Sequence, residues 1–142
     1  MSYASHSAPD DLTDCVTMTL LDEEGSASPV IAELSYHAED PYAVHVTFAV
    51  EQMQVTWTFA RELLVLGATK PMGSGDVRVW PDLDPTGHAL VCLEISSGDG
   101  IALMQCRTSD LYPFIRRMLT AVPLGEESAN VDLDAEVAAL LV

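Results

Sequence analysis

Arg78 is one of six basic residues in the chain, and it is the one set in the middle of an extended pattern, between Asp76 and Trp80. Alternation along a strand places these three side chains on one face and Val77 and Val79 on the other. An acid, a guanidinium and an indole in a row support two kinds of chemistry. One is structural: an ion pair from Arg78 to Asp76 or to an acid on a neighbouring strand, with the guanidinium stacked on Trp80. The other is recognition, because Arg and Trp are favoured anchors of protein–protein contacts. Arg61 carries the same two readings. Gly73 and Gly75 let the chain turn sharply into this strand, and Pro81 should end it or lie at a sheet edge, since it donates no ladder hydrogen bond.

Catalytic chemistry is sought in the same way and does not assemble. Gly73-Ser74-Gly75 with Lys70 nearby has the composition of a phosphate loop. Such a loop needs a helix after it, so that backbone N–H groups and the helix dipole meet the anion. Here a strand follows and the lysine comes first. His6, His37, His45 and His88 show none of the ligand spacings of a zinc site, alone or with Cys15, Cys92 and Cys106. His37 and His45 fall on polar strand faces, where a solvated or hydrogen-bonded imidazole is expected. No serine or cysteine lies in a nucleophile elbow. The expectation is a protein that is not an enzyme and needs no metal, nucleotide or covalent cofactor.

Composition narrows the partners. Twenty-two acids against six bases leave a formal net charge of −16 on 142 residues. Phosphate affinity comes mostly from Lys and Arg, so nucleic acid and anionic membrane are disfavoured. No apolar run approaches the length of a membrane span, and no signal peptide opens the chain. Three widely spaced cysteines inside apolar strand patterns read as buried, reduced thiols of a cytoplasmic protein.

The elements that must position Arg78 and Arg61 follow from periodicity. Met1–Asp11 is polar and aperiodic, so residues 1–12 are taken as a disordered tail ahead of one domain spanning 13–142. Strands are predicted over Asp14–Leu21, Val30–Tyr36, Tyr42–Val50 and Met53–Phe59, the last two joined as a hairpin through Glu51-Gln52. Ala60–Leu66 changes to a helical period and ends at Gly67, suited to a left-handed cap. Three more strands follow: Asp76–Trp80, His88–Ser96 and Ile101–Cys106. The His88–Ser96 strand is apolar on both faces and should lie inside a covered sheet. A helix capped by Thr108 or Ser109, with Pro113 in its first turn, carries the stripe Leu111, Phe114, Ile115, Met118 and Leu119. It closes at Val122-Pro123, and a last helix is predicted over 132–142. The fold class is therefore α+β: a strongly bent antiparallel sheet of about seven strands with two to three helices on one face. Tyr42, Val44, Val46, Phe48, Val55, Trp57, Phe59, Val77 and Val79 should face the core.

Three stretches occur in order at suitable distances: Asp40-Pro41-Tyr42-Ala43-Val44-His45, Phe59-Ala60-Arg61-Glu62-Leu63-Leu64, and Gly73-Ser74-Gly75-Asp76-Val77-Arg78-Val79-Trp80-Pro81. With Ala121-Val122-Pro123 and Asp132-Leu133-Asp134, they resemble the SsgA-like proteins, sporulation and cell-division regulators of actinobacteria. The resemblance runs from about Thr13 to the end. It implies a fold like that of the whirly and mitochondrial RNA-binding proteins, with two strand-rich halves each closed by a helix. It also implies non-enzymatic work at the division septum: an adaptor that helps to position or recruit FtsZ and septal proteins, or other SsgA-like proteins. The alternative it implies is a regulator of peptidoglycan synthesis or hydrolysis enzymes. Single-stranded nucleic-acid binding by fold analogy is opposed by the charge.

Threonine-rich strand faces (Thr17 and Thr19; Thr47; Thr56 and Thr58) are neither charged like a free surface nor apolar like a core. Such faces suit a subunit interface. With the resemblance, they give an expectation of a homotrimer.

Overall fold

The structure, a computed structural model, describes residues 11–50, 52–98 and 100–130. Eight strands form one antiparallel sheet: β1 (Leu12–Leu21), β2 (Ala27–Tyr36), β3 (Ala43–Val50), β4 (Met53–Ala60), β5 (Met72–Ser74), β6 (Val77–Leu83), β7 (Ala89–Ser97) and β8 (Gly100–Arg107). Helix α1 (Arg61–Gly67) follows β4, and helix α2 (Thr108–Ala121) follows β8; one turn of 3-10 helix, Glu127–Asn130, ends the described residues. The strand order is β4-β3-β2-β1-β8-β7-β6-β5. Two meanders, one from each half of the chain, are thus joined along their innermost strands. The seam is short, pairing Thr19, Leu20 and Leu21 with Gln105, Met104 and Leu103.

Alternation decides which side is core. Val16, Met18, Val30, Ala32, Leu34, Tyr36, Val44, Val46 and Phe48 are buried on one face of the first meander; Val77, Val79, Val91, Leu93, Ile95, Met104 and Cys106 are buried on the second. Onto this face α2 lays Leu111, Phe114, Ile115 and Met118, and α1 lays Leu63 and Leu64. Each large apolar side chain so buried contributes about 1.5–3 kcal/mol. The sheet curls strongly enough that α1, which leaves the β4 end, packs against β5 and β6 at the other end.

Several expectations are corrected. An eighth strand, β5, pairs Met72, Gly73 and Ser74 with Val79, Arg78 and Val77; three residues with two small side chains carry no visible period. Of the two glycines, Gly75 makes the turn, with φ +60°, while Gly73 lies in β5. Gly67 is no left-handed cap. It is the last residue of α1 and packs flush on β6, where a Cβ would fall 2.4 Å from Val79 Cγ1. Neither Thr108 nor Ser109 caps α2: the helix starts at Thr108, whose buried hydroxyl has no hydrogen-bond partner. Pro113 therefore sits in the second turn, where its ring costs a bond to the Ser109 carbonyl.

Tyr42 is 54% exposed and Val55 37% exposed, against the expected core list. Tyr42 belongs to the turn before β3, and its carbonyl accepts the Arg61 N–H at 2.8 Å. Val55 stands on the core-side face, but towards the β3–β4 hairpin tip, where α1 and α2 do not cover it; Trp57 is half-buried there. β1 begins at Leu12, just inside the stretch assigned to the tail, and residues 1–10 lie outside the described residues. So does the helix expected over 132–142.

Cys15 is exposed, not buried as expected, because it alternates away from Val16 on β1. Cys106 faces the core, and burial pushes its thiol up to about 12, with the Asp110 charge adding to the effect. Cys92 lies on the outer side of β7 beneath Trp80 and Gln105, its cross-strand neighbours, so side chains and not a second layer bury it. Burial raises its thiol as well, partly offset by the Gln105 amide that donates to Sγ. A thiol reagent should consume one equivalent in the native protein, at Cys15, and three after denaturation. Native reaction at Cys92 or Cys106 at the Cys15 rate would contradict this packing.

Candidate protein-interaction surface

The hairpin β5–β6 sets Arg78 and Trp80 on the outer face of the sheet. Gly73 is the register partner of Arg78, and a Cβ there would meet Arg78 Cγ at 3.2 Å. With no side chain at Gly73, the arginine stem lies flat across β5. Its guanidinium stands 5.7 Å from the centre of the Trp80 ring and 3.5 Å from Glu94, the residue opposite it on β7. The pair is exposed on the arginine side and contributes up to about 1 kcal/mol. Asp76 does not share that face. It occupies the two-residue turn between β5 and β6, and its carbonyl accepts the Ser96 N–H at 2.8 Å. The expected ion pair thus goes to the neighbouring strand, and the expected stacking on Trp80 is present.

Arg78, Trp80, Pro71, Met72 and Gly73 line a shallow cavity of about 410 Å³. An exposed guanidinium held over a half-buried indole, beside an open concavity, is the arrangement that anchors protein contacts. Across the sheet the outer face of the first meander is rich in hydroxyls, with Glu33 opposite Thr47 as its acid. Thr47 and Thr56 hydroxyls share a hydrogen bond at 2.8 Å, and His45 Nδ1 lies 2.8 Å from Thr58 Oγ1. Ile31 and Ile101 stand exposed on the same face.

Arg61 has the opposite environment. It is 1% exposed, the largest fully buried side chain among the described residues. Its Nη2 donates to Glu127 Oε2 at 3.0 Å and to the Pro123 carbonyl at 3.2 Å, and its Nε donates to the same Glu127 oxygen at 3.3 Å. The guanidinium also lies 5.2 Å from the centre of the Tyr36 ring, whose hydroxyl donates to the Pro41 carbonyl. Burial by itself would raise the Glu127 carboxyl. Its own N–H, the hydrogen bond and charge of Arg61, and the Gly125 N–H outweigh that and hold it below its usual range. Arg61 therefore fastens the segment after α2 to the start of α1. Sequence reading had the arginine but missed Glu127, 66 residues away. The available signal was a base at the first position of a short helix whose later turns are apolar, in a chain with so few bases.

The remaining candidates for chemistry stay apart. The glycines of 73–75 lead into β6, so no helix start meets them. The His37 and His45 rings are 5.4 Å apart, and His37 Nδ1 lies 3.4 Å from Asp11. His88 stands in the turn where Thr86 and its own N–H donate to Asp84, holding that carboxyl near 2. Among the described residues no group of three His, Cys, Asp or Glu side chains is placed to hold a metal ion. Among them, too, no helix is long and apolar enough to cross a membrane.

Residues 30–127 match a family model described as Streptomyces sporulation and cell division protein, SsgA. The sporulation-specific cell division protein SsgB of Frankia casuarinae is 43% identical over 133 residues, covering 93% of this chain and 92% of that protein. SsgB of Streptomyces coelicolor is 44% identical over 117 residues, covering 82% and 85%. The crystal structure of an SsgA-like sporulation-specific cell division protein from Thermobifida fusca superposes with a TM-score of 0.82 at 36% identity, over 98% of both chains.

Proposed function

The chain belongs to the SsgA family of sporulation and cell division proteins, and we propose that it is a non-enzymatic adaptor in sporulation-specific division. It works from the cytoplasm and brings division proteins, the tubulin-like FtsZ among them, to the septum. The observation that carries this reading is the match, over nearly the whole chain, to proteins named for sporulation-specific division. The Arg78–Trp80 surface supports it, as an exposed guanidinium stacked over an indole on the outer face of the sheet. The threonine-rich face with Ile31 and Ile101, on which Glu33 is the acid between Cys15 and Thr47, serves self-association into a closed trimer, which leaves the Arg78 surface free for other proteins.

Purified FtsZ and the isolated chain test the adaptor role. Arg78→Ala with Trp80→Ala should weaken capture of FtsZ by at least about tenfold, the loss expected of paired anchors, and Arg78→Ala alone, which removes only an exposed pair, should weaken it with thermal unfolding little changed. A fluorescent fusion in a sporulating host should form bands at septal positions. A fusion spread evenly along the cell, or capture indifferent to both substitutions, overturns the reading. Sedimentation at micromolar concentration addresses the trimer: a monomer insensitive to dilution would remove it and leave the adaptor role standing.

A further inference from the structure

We infer that the gap between the two ends of the curled sheet is a docking groove for an extended, positively charged segment of a partner protein. The first observation is a bare edge. β4 ends the strand order, and among the described residues no strand lies beyond it. Sheet edges are ordinarily blunted by charge, proline or a bulge. Met53–Ala60 has no charge and no proline, and pairs with β3 without a break through all eight residues.

The second observation is unfinished burial. Met53, 66% exposed, and Val55, 37% exposed, stand on the core-side face of β4 with half-buried Trp57 beyond them. The third is the gap itself. The curl brings the β5–β6 hairpin opposite β4 across a cavity of about 300 Å³, lined by Trp57, Phe59, Leu63, Ser74, Asp76 and Val77. A segment entering it meets the hydrogen-bonding groups of a strand edge on one wall, the hairpin on the other, and an apolar floor from Leu63 and Phe59. Strand addition on β4 uses all three: main-chain bonds give affinity, and every second side chain covers Val55 and Trp57.

Charge selects the occupant. The one charged residue lining the gap is the acid Asp76, and the chain as a whole carries −16. An acidic segment is repelled, and lysines or arginines at the alternate positions, beside uncharged Gln54, Thr56 and Thr58, are drawn in. The identity of the partner as a division protein rests on the adaptor reading; the groove does not.

The test titrates the isotopically labelled full chain with an acetylated nonapeptide, Lys-Val-Thr-Val-Lys-Val-Thr-Val-Lys, and follows backbone amide shifts. Saturable shifts confined to β4, the start of α1 and the β5–β6 hairpin are expected. Glutamate in place of every peptide lysine should weaken binding by about tenfold or more, and so should Val55→Lys, which installs an edge charge. Val55→Thr should bind within about threefold of the parent, showing that the site and not the fold was altered. Saturable shifts centred elsewhere, or none below roughly 1 mM peptide, overturn the proposal. So does a self-associated species that Val55→Lys dissociates, since a second copy then fills the edge. Loss of FtsZ capture with peptide binding intact would overturn the adaptor reading and leave the groove.

Discussion

Arg61→Ala is expected to lower stability by about 3 kcal/mol, a fall in Tm of roughly 6–12 °C for a chain of this size. The guanidinium is 1% exposed and makes two hydrogen bonds to Glu127 and one to the Pro123 carbonyl. Its removal strips the Glu127 carboxylate, held within the fold, of its guanidinium partner and leaves it the Gly125 N–H, while the Pro123 carbonyl loses one of its two donors and keeps the Glu126 N–H. The cost is mostly that of orphaned partners, so removing both should cost less than removing one. Arg61→Met with Glu127→Leu is expected within about 1 kcal/mol of the parent, since buried pairs often exchange for apolar groups at little loss. A double change that costs the sum of the singles would show that the two residues act independently.

Acid gives the same pair a second readout. The carboxyl of Glu127 is held below its ordinary 4.5 in the folded chain. A depressed carboxylate contributes stability that is complete above its unfolded value and is lost as pH falls through the folded one. The parent should therefore weaken below pH 4.5 more steeply than Glu127→Gln, as followed by urea midpoints across that range. Parallel acid limbs would mean that Glu127 titrates alike in both states.

Gly67→Ala is expected to destabilise by about 2 kcal/mol or more, although alanine is the better helix former by about 1 kcal/mol. The new methyl would fall 2.4 Å from Val79 Cγ1 and 2.5 Å from Val79 Cβ. Val79 is wholly buried in β6, between β5 and β7, so it cannot swing away. Helix and sheet must move apart, and the loss is paid at Leu63 and Leu64, which α1 buries on the same side. Val79→Ala makes room, so the double variant should be more stable than the two single losses added together predict. Simple additivity in chemical denaturation would mean that the two side chains do not meet.

Both effects show where sequence legibility stops. The alternation of Val44, Val46 and Phe48 and the stripe of Leu111, Phe114, Ile115 and Met118 were readable because each is a local period with one buried face. The β3–β4 hairpin was equally local. Gly67 was misread because a close approach to Val79 and a left-handed cap both call for glycine, and the distinction lies in a strand ten residues later. β5 escaped because Met72-Gly73-Ser74 has too few side chains to show a period. Tyr42 and Val55 continued the apolar alternation past the reach of the helices, which no single strand can reveal. At the candidate surface, Arg78 and Trp80 were found from their strand; Glu94 was covered by the general expectation of a neighbouring-strand acid. Glu127 was not, because its link to Arg61 crosses 66 residues.

The short seam between β1 and β8 has a consequence for synthesis on the ribosome. Every other strand pairing joins neighbours in sequence, so the first meander has all its residues once Ala60 is made. The inner edge of β1 must then wait for Leu103–Gln105, 43 residues further on. At translation speeds of about 5–20 residues per second, that is roughly 2–9 s. Through that interval Thr19–Leu21 presents an open strand edge next to the apolar side chains of Val16 and Met18. The nascent half-sheet is then the form most open to chaperones or to pairing with a neighbouring nascent chain.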